Sequence, residues 1–548
     1  MSPLPVSNEI VPPPRDAALA APPHEPAPAV PAVGLADAQA PPCPVRPGDP
    51  LPKVSFARHA AWIRRLSSST LESSSAPPSA ETAASPSVIR GIAVWKWYYA
   101  FLRDQVGALA SFNKHYGRLG VLCEPFSRRG KCFIASGAEY NRQVLGDPQT
   151  FHAGGLILRG PSGSVLNRLR RGLIGANGPE HREIRRVVAP LFLPKAVQQY
   201  VPRMANVIAR ELDAWPVGST LDVSEQISHL SLLVSAENLL GGENPEETLE
   251  LSRMTADVLR QSYALSVRLL RLNAAGTPFQ RLIKKAEQLE RMLLELIDRR
   301  EPQSHESTHL LDRLISFHRA EPDRLKREDL VGQMFILFAA SHETVAKAVT
   351  WTLFLLSQHP RVMADVHTEL ESRCAGAPPT MDDLDELKLL DAVTKETMRL
   401  IPPVPWTRRS VQAEGQLGGL PVQRKDFVFL DHFTTHRDPE VFSDPNRFLP
   451  QRWFGSQPDS YEYLPFSAGP RTCIGKVLGT ATINLMVAMI LQRLRLTMVP
   501  GSRVDRSYQV TLAPKFGMPM CVEHHDGRFQ AVPVTGNVHQ MVDLTAAD

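Results

Sequence analysis

The feature that most constrains the fold of this chain is the ten-residue window at 466–475, which reads FSAGPRTCIG. Gly469 and Gly475 lie on either side of Cys473, and glycine permits the unusual φ and ψ angles and close approaches of a sharp loop. Such a loop can aim backbone N–H groups at the sulfur, and a cysteine thiolate is a strongly donating axial ligand for haem iron. Arg471 is then placed to pair with a haem propionate, and Phe466 to cover the loop. The alternative is a glycine turn beside a buried core cysteine.

This window resembles the haem-binding loop of the cytochrome P-450 family, Phe-x-x-Gly-x-Arg-x-Cys-x-Gly, and every fixed position is present. The resemblance implies haem b as cofactor, with Cys473 as the axial ligand of its iron, and O2 as co-substrate. It also implies a mainly α fold with small β-sheets. In that fold the haem lies between a long oxygen-binding helix and the cysteine-loop helix.

Composition divides the chain into an arm, a domain and a tail. Residues 1–87 are rich in proline, alanine and serine and are predicted to be a disordered extension. Its role is either targeting or tethering, with a transit peptide conceivable because acidic residues are scarce, or it is dispensable. Residues 88–525 are predicted to form one domain, and 526–548 a loose tail. With 548 residues, of which 43% are hydrophobic, the chain can bury a large core.

Charge and cysteine content exclude several classes of protein. A net charge of +4 is too small to indicate nucleic-acid binding. The six cysteines show no C-x-x-C spacing, which argues against zinc and against a secreted disulfide scaffold. A thiol kept available as a ligand fits a reducing compartment, so we predict a cytoplasmic protein. The N-terminus also lacks the pattern of a secretory signal.

No apolar stretch reaches the roughly 18 residues of a membrane-spanning helix. The nearest is 91–102, which carries Lys96 and is predicted to be a buried or interfacial helix, so peripheral membrane contact stays open. Apolar residues at three- and four-residue spacing predict further helices at 197–213, 248–272, 278–300, 329–357, 360–373 and 384–400. Strand-like runs occur at 131–135, 426–430 and 519–522.

The predicted helix 329–357 is apolar except at its centre, which reads ASHET from Ala340 to Thr344. Glu343 and Thr344 must face polar partners there, because burying them unpaired is costly. Cleavage of dioxygen consumes two protons, and a hydroxyl next to a carboxylate can relay protons from water. The alternative is a helix interface in which the threonine hydroxyl bonds the carbonyl four residues earlier.

This stretch resembles the oxygen-binding helix of the same family, Ala/Gly-Gly-x-Asp/Glu-Thr-Thr/Ser. The resemblance implies that Glu343 and Thr344 are the catalytic acid and alcohol and that Ala340 is the first small residue beside the haem. Two positions depart from the pattern: Ser341 replaces a glycine and Val345 replaces a hydroxyl residue. Ser341 adds a side chain where the helix normally leaves room for dioxygen.

Two arginine motifs complete the pattern. Glu396 and Arg399 are three residues apart, so they share a helix face and can pair, although such pairs are commonly solvated. They resemble the Glu-x-x-Arg helix of the family, and the DPNRF sequence at 444–448 resembles its Pro-x-Arg-Phe segment. The resemblance implies a structural triad of Glu396, Arg399 and Arg447 that supports the ligand loop.

His181 and Arg185, four residues apart behind a Gly-Pro helix start, resemble the propionate-binding His/Trp-x-x-x-Arg helix of the family. Arg409 is a third propionate candidate, although Arg408 could take that part. An exposed His–Arg pair is the alternative. The resemblance extends over about residues 100–525, and its motifs occur in the expected order.

The resemblance implies a haem-thiolate monooxygenase that inserts one oxygen atom from O2 into an apolar small molecule, in secondary or lipid metabolism. A peroxide-driven or isomerising haem-thiolate enzyme is one alternative, which the presence of Glu343 and Thr344 disfavours. A non-catalytic haem-binding protein is another, and it would need neither residue.

No flavin domain and no four-cysteine ferredoxin spacing is visible in the sequence. Electrons from NAD(P)H are therefore expected through a separate ferredoxin, flavodoxin or reductase. We predict a monomer, with a basic docking face for this partner formed by Arg182, Arg185, Arg186 and Lys476. Candidate pocket residues, each of which could equally be ordinary core, are Phe335, Phe338, Ala339, Val404, Trp406 and Phe516. They suggest a terpenoid, polyketide or fatty-acyl substrate.

Overall fold

The computed structural model describes residues 87–123, 130–155, 158, 160–161, 163–241, 245–264, 266–267, 271–303, 309–455 and 457–544. The extension predicted for residues 1–87 lies outside these ranges apart from Ser87, which begins the first strand.

The described part of the chain is mainly helical. Its α-helices are α1 (Ile92–Arg103), α2 (Gln105–Tyr116), α3 (Ala138–Gly146), α4 (Val165–Leu169), α5 (Gly178–Val188), α6 (Pro194–Asp213), α7 (Val223–Leu240), α8 (Pro245–Tyr263), α9 (Pro278–Arg300), α10 (Leu310–Ala320), α11 (Arg327–Gln358), α12 (Pro360–Cys374), α13 (Met381–Glu386), α14 (Lys388–Leu400), α15 (His432–Thr435) and α16 (Lys476–Arg493). Short 3-10 helices cover Ala189–Phe192, Glu301–Gln303, Pro450–Phe454, Gly469–Arg471 and Asn537–Gln540.

Two of the predicted helices differ from the observed ones. The helix predicted at 248–272 ends at Tyr263 in α8. The helix predicted at 384–400 is divided at Leu387, whose ψ of 71° is not helical. The Glu369 carboxylate of α12 then accepts hydrogen bonds from the first N–H groups of α14, at Leu389 (2.8 Å) and Leu390 (3.0 Å). The capping carboxylate belongs to a different helix, so the sequence around residue 388 does not indicate this helix start.

The strands are β1 (Ser87–Arg90), β2 (Leu119–Cys123), β3 (Cys132–Ala135), β4 (Phe151–Ala153), β5 (Ser219–Asp222), β6 (Trp406–Val411), β7 (Gly415–Leu417), β8 (Leu420–Val422), β9 (Phe427–Asp431), β10 (Leu494–Met498), β11 (Arg506–Tyr508), β12 (Leu512–Pro514) and β13 (Pro519–His524). The largest sheet has the order β1-β2-β3-β9-β6-β4 and mixes parallel pairs, β1 with β2 and β3 with β9, with antiparallel ones. A second sheet has the order β10-β13-β5, and β11-β12 and β7-β8 form two hairpins.

Helix α11 is the central helix of the described helical part. Residues 330–339 of this helix are all buried, as expected for a helix that is apolar on every side. It packs against α7 on one side and against α16, the helix that follows Cys473, on another. At 1.5 Å per residue its 32 residues span about 48 Å. The helix that carries the polar centre therefore packs directly on the helix that follows the cysteine loop.

The C-terminal segment differs from the predicted loose tail. Val538 and Met541 are buried, and the Asn537 side chain accepts a hydrogen bond from the Arg506 N–H at 2.7 Å. The Asp543 N–H donates to the carbonyl of Asn446 at 2.8 Å. The prediction was wrong for residues 534–544, where a few apolar side chains, widely spaced among polar ones, are buried.

Among the described residues, no helix combines the length and the apolar character that crossing a membrane requires.

Candidate active site

The cysteine loop has an unusual backbone at its start. Ser467 and Gly469 have positive φ angles of 57° and 66°. A Cβ atom on Gly469 would lie 2.5 Å from the carbonyl oxygen of Leu145 in α3, so glycine is required here both for conformation and for space. The Cys473 N–H donates to the Phe466 carbonyl at 2.8 Å and closes the loop. The Phe466 ring lies over the first turn of α16, where it is half-buried.

Gly475 has a different role from the predicted one. Its φ of −85° is ordinary, and a Cβ there would make a normal contact of 3.9 Å with the Cys473 sulfur, so the expected unusual backbone is wrong for this residue. The Gly475 N–H donates a hydrogen bond to the sulfur and acts to lower the pKa of the thiol. The loop therefore supplies the N–H group aimed at sulfur that a thiolate ligand needs.

Cys473 itself borders a space inside the molecule. The residue is exposed, yet burial is the main influence on its thiol and raises the pKa above the usual value. Both observations hold when a side chain faces an interior space rather than the outer surface. The Arg185 guanidinium acts in the opposite direction and favours the thiolate.

Four basic side chains gather around this loop without a balancing acid. Arg471 donates to the carbonyls of Leu173 (3.3 Å) and Ala176 (2.5 Å), which are neutral acceptors. Burial, with the charge of Arg471, lowers the pKa of Arg409 to about 10, and burial with Arg185 does the same for Arg471.

His181 completes this basic cluster, which we define as His181, Arg185, Arg409 and Arg471. Burial, with Arg471 and Arg185 as the next causes, lowers the pKa of His181 to about 4. No described carboxylate lies within 4.0 Å of these four groups.

The basic cluster tests whether the site fits a haem. The three arginine charges, of which Arg409 is buried and Arg185 and Arg471 are half-buried, repel one another without a described counter-ion, so the arrangement calls for an anionic ligand. A haem presents one flat apolar ring, an iron that takes a thiolate, and two propionates. The open thiol fits the iron and the basic groups fit the propionates, so the residues present fit the group.

The structure distinguishes Arg409 from Arg408. Arg409 is buried and belongs to the basic cluster, whereas Arg408 is exposed with its guanidinium 5.6 Å from the centre of the Phe427 ring. The two alternate along β6, and successive side chains of a strand point to opposite faces.

The polar centre of α11 combines features of both interpretations made from the sequence. Ala340 is exposed although residues 330–339 are buried, so α11 borders an open space at this turn. The Thr344 hydroxyl donates to the Ala340 carbonyl at 2.9 Å, and the Ser341 hydroxyl donates to Phe338 at 3.3 Å. A hydroxyl that donates once keeps its lone pairs as acceptors, so Thr344 can still accept a hydrogen bond from a neighbour.

Two residues that the sequence did not single out flank Glu343. The Thr511 hydroxyl donates to the Glu343 carboxylate at 3.3 Å. Lys347, one turn further along α11, donates from its ammonium group to the Ser228 hydroxyl at 3.0 Å. Burial lowers the pKa of Lys347, while the charges of Glu343 and Asp222 raise it. The i,i+4 spacing of Glu343 and Lys347 was visible in the sequence, but nothing there pointed to Thr511.

The predicted triad is centred on Glu396, but its second arginine is Arg452. Arg399 donates twice to the Glu396 carboxylate, at 2.8 and 2.9 Å, and Arg452 donates from Nε at 3.0 Å. Trp453 adds a third donor at 3.0 Å. The prediction of Arg447 was wrong, because this residue contributes its carbonyl oxygen, which accepts from Arg399 at 3.1 Å.

Burial acts to raise the pKa of the Glu396 carboxyl, but the hydrogen bonds and charges of Arg399 and Arg452 outweigh it and lower the pKa. This carboxylate is therefore ionised, fully buried and paired. The structural role predicted for it stays a prediction, which this pairing supports.

Comparisons with known proteins show the family of this chain. The sequence profile of the cytochrome P450 family matches residues 93–519. Cyclooctat-9-en-7-ol 5-monooxygenase from Streptomyces melanosporofaciens is 30% identical over 74% of this chain and 87% of its own length. Cyclooctatin synthase from the same organism is 28% identical over 68% of this chain and 82% of its own length.

Solved structures show the same fold. Retinoic acid-bound cyanobacterial CYP120A1 superposes with a TM-score of 0.65 at 22% identity, covering 76% of this chain and 94% of that one. CYP175A1 from Thermus thermophillus superposes with a TM-score of 0.63 at 24% identity, covering 80% of this chain and 100% of that one.

Proposed function

The chain belongs to the cytochrome P450 family of haem-thiolate monooxygenases, and on that premise we propose that it hydroxylates or epoxidises an apolar small molecule of moderate size. The observation that carries the proposal is the basic cluster without an acid beside the open Cys473 thiol. When bound there, haem supplies the redox chemistry that splits O2, with two electrons and two protons, into one oxygen for the substrate and one for water.

Different residues of the site are proposed to bind different parts of the haem. The Cys473 sulfur, with the Gly475 N–H directed at it, holds the iron. Arg409, Arg471 and His181 hold the propionates, and Phe466 covers the loop. Helices α11 and α16 pack against each other, so the helix that bears Glu343 and the helix that follows Cys473 belong to one packed unit.

Glu343 and Thr344 deliver protons. The Glu343 carboxylate takes a proton from the solvent side, where the Thr511 hydroxyl orients it. It passes that proton inward to a water held by the lone pairs of the Thr344 hydroxyl. The bond from Thr344 to the Ala340 carbonyl fixes the direction of those lone pairs. This arrangement disfavours a peroxide-driven enzyme, which does not need the protons.

Only some of the residues predicted to line the substrate pocket remain candidates in the structure. Phe335 and Phe338 are fully buried in the main core, and Phe516 is exposed with Lys515 and Arg503 near its ring. Val404 and Trp406 remain half-buried candidates. The relative named cyclooctat-9-en-7-ol 5-monooxygenase acts on a cyclic hydrocarbon alcohol, which favours a terpenoid over a polyketide or fatty-acyl substrate.

Electrons must come from a partner. We propose NAD(P)H as their source, through a separate ferredoxin, flavodoxin or reductase. Arg182, Arg186 and Lys476 are exposed and support a docking face for an acidic protein, although Arg186 also pairs with Glu183 at 3.3 Å. Arg185 belongs to the basic cluster instead. A cytoplasmic location is part of the proposal, because the Cys473 thiol must stay reduced to serve as a ligand.

The decisive experiment compares wild type with Cys473→Ser. Wild type should give the red-shifted ferrous–CO Soret band of thiolate ligation, and the variant should lose it. Cys374→Ser, at a buried cysteine in α12, is the matched control and should keep the band. Titration with cyclic terpenoids, polyketides and fatty acids should then shift the Soret band most for a terpenoid. Product formation from hydrogen peroxide alone, at the rate seen with NADPH and a reductase, would contradict the proposal.

A further inference from the structure

Two consecutive residues of α11, Gly332 and Gln333, do not suit a buried apolar helix. Both lie in the run 330–339, in which every residue is buried. Glycine weakens a helix interior because it loses the most backbone freedom on folding, and a buried amide is costly unless it is hydrogen-bonded. The function proposed above uses neither residue. Local exceptions of this kind are expected where a functional site needs them.

The segment 171–176, which connects α4 to α5, explains the glycine. A Cβ atom on Gly332 would overlap the carbonyl oxygen of Arg171, so only glycine lets this segment lie directly on the backbone of α11. The segment has a glycine of its own at the crossing. A Cβ atom on Gly172 would lie 3.0 Å from the Gly332 carbonyl oxygen and 2.8 Å from the Ile336 side chain. The two backbones therefore touch at a pair of glycines.

Gln333 explains how the segment is held at this crossing. Its side chain is fully buried, and Oε1 accepts a hydrogen bond from the Leu173 N–H at 3.3 Å. The other end of the amide, Nε2, has no partner among the described residues, so Gln333 acts on the segment through Oε1. We call the contact of Gly332 and Gln333 with segment 171–176 the glycine clasp.

The same segment holds the arginine of the cysteine loop. Arg471 donates to the carbonyls of Leu173 at 3.3 Å and Ala176 at 2.5 Å, and to the side chain of Asn177 at 2.5 Å. Leu173 is therefore bonded through its N–H to α11 and through its carbonyl to Arg471. A shift of Leu173 away from Gln333 would displace an acceptor of the guanidinium.

We propose that Gln333 is a positioning residue for the haem propionates, because it fixes Leu173 and thereby the guanidinium of Arg471. Arginine has five N–H donors, and three of them are used by the acceptors just named, so two remain for an anion among the described contacts. A guanidinium that is already held in place loses less conformational freedom when it binds a carboxylate. The helix that carries Glu343 and Thr344 thus also sets the geometry of the propionate site.

This inference rests on the haem position of the proposed function, and its test separates the two. The measured quantity is the rate of haem loss from the full-length holoprotein to apomyoglobin. Gln333→Met keeps the length of the side chain but removes the acceptor, whereas Gln333→Glu keeps an acceptor oxygen. Both are made in wild type and in an Arg471→Met background.

The matched control is Asn484→Leu. Asn484 is a buried amide of α16, and its Oδ1 accepts a hydrogen bond from the Thr394 hydroxyl at 2.7 Å. It has no contact with segment 171–176 or Arg471 among the hydrogen bonds described. The Soret band and urea unfolding check that each variant is folded, and hydrogen exchange of the Leu173 amide reports the clasp directly.

Arg471→Met should lose haem about tenfold faster than wild type and Gln333→Met about fivefold faster, while Gln333→Glu and Asn484→Leu stay within about twofold. In the Arg471→Met background, Gln333→Met should add less than about twofold, because its effect passes through Arg471. Exchange at Leu173 should become faster in Gln333→Met and not in Asn484→Leu.

An unchanged rate in Gln333→Met, the same increase in both backgrounds, or equal rates in Gln333→Met and Gln333→Glu would overturn the inference while leaving the proposed function intact. An unchanged rate in Arg471→Met would contradict the propionate role of Arg471 in the proposed function, and the inference with it. If Gln333→Met does not fold, Gln333→Asn, which keeps an amide but is one methylene shorter, replaces it with the same expectations.

Discussion

Two groups of buried arginines in this molecule differ in one respect, the presence of an acid. Around Glu396, Arg399 and Arg452 share a buried carboxylate, and their hydrogen bonds lower its pKa. In the basic cluster, Arg409 and Arg471 have only each other, neutral acceptors and further cations nearby. The first group is complete within the protein, whereas the second requires an anion from outside. Charge balance therefore separates a structural site from a ligand site built from the same residue type.

The largest effect on the free energy of unfolding is expected at Glu396, whose arginine partners are paired within the protein. Glu396→Gln leaves Arg399 buried without its counter-ion and should lower the free energy of unfolding by about 3–5 kcal/mol. Urea unfolding measures this. The control is Glu440→Gln, which removes an exposed partner of Arg118 and should cost less than about 1 kcal/mol. Equal losses in the two variants would show that the Glu396 site does not hold the fold.

A substitution in the basic cluster should have the opposite effect on the stability of the apoprotein. Arg409→Met removes a buried charge that has no counter-ion, so the apoprotein should be as stable as wild type or about 1 kcal/mol more stable. Haem affinity should fall about tenfold or more, because a propionate loses its partner. Haem transfer to apomyoglobin measures the affinity, and Arg408→Met is the exposed control. A destabilised apoprotein with unchanged haem affinity would contradict the comparison.

Thr344 tests whether a hydroxyl that is already hydrogen-bonded can still work in proton delivery. Thr344→Ala should keep the haem and substrate binding, but product formed per NADPH should fall about tenfold, with hydrogen peroxide appearing instead. Thr350→Ala is the matched control, since that hydroxyl makes the same bond to the carbonyl four residues earlier but is fully buried.

Ser341→Gly/Thr344→Ala shows whether Ser341 replaces the missing hydroxyl. A further fall in the double variant would assign it that part. An unchanged ratio of product to NADPH in both variants would remove these hydroxyls from the mechanism.

The smallest effect concerns pH. His181 has a pKa of about 4 in the folded apoprotein, below the usual value of about 6.5. The unfolded chain therefore binds the proton first, and this contribution to stability is present above about pH 6.5 and lost as pH falls toward 4. His181→Gln should remove about 1–2 kcal/mol of the acid destabilisation of the apoprotein. Unfolding at pH 7 and pH 5 measures the difference. Bound propionates should reduce this pH dependence, and an identical slope with and without haem would contradict that.

The sequence predicted some parts of these sites and missed others for identifiable reasons. Glu396 and Arg399 are three residues apart on one helix, so their pairing was readable locally. Arg447 and Arg452 each follow a proline by two residues and precede an aromatic one, so the sequence could not choose between them. The turn into the 3-10 helix Pro450–Phe454 decides the choice, because it brings Arg452 and Trp453 to Glu396.

The basic cluster shows a second limit. His181 and Arg409 each belong to a motif that the sequence displays, but they lie on α5 and β6, which are far apart along the chain. Spacing cannot reveal that no described acid accompanies them. Only the three-dimensional structure shows that no described acid lies beside these basic side chains, which is the observation that supports the proposed function.

The packed C-terminal segment has a consequence for the order of folding during synthesis. Arg437, which is half-buried, donates to the carbonyl of Leu400 at 2.6 Å and to the carbonyl of Met541 at 2.5 Å. A nascent chain grows from its N-terminus at about 5–20 residues per second, so Leu400 is available well before Met541. Until Met541 emerges, one acceptor of this guanidinium is missing. The surroundings of Arg437 can therefore be completed only after residue 541 has been synthesised.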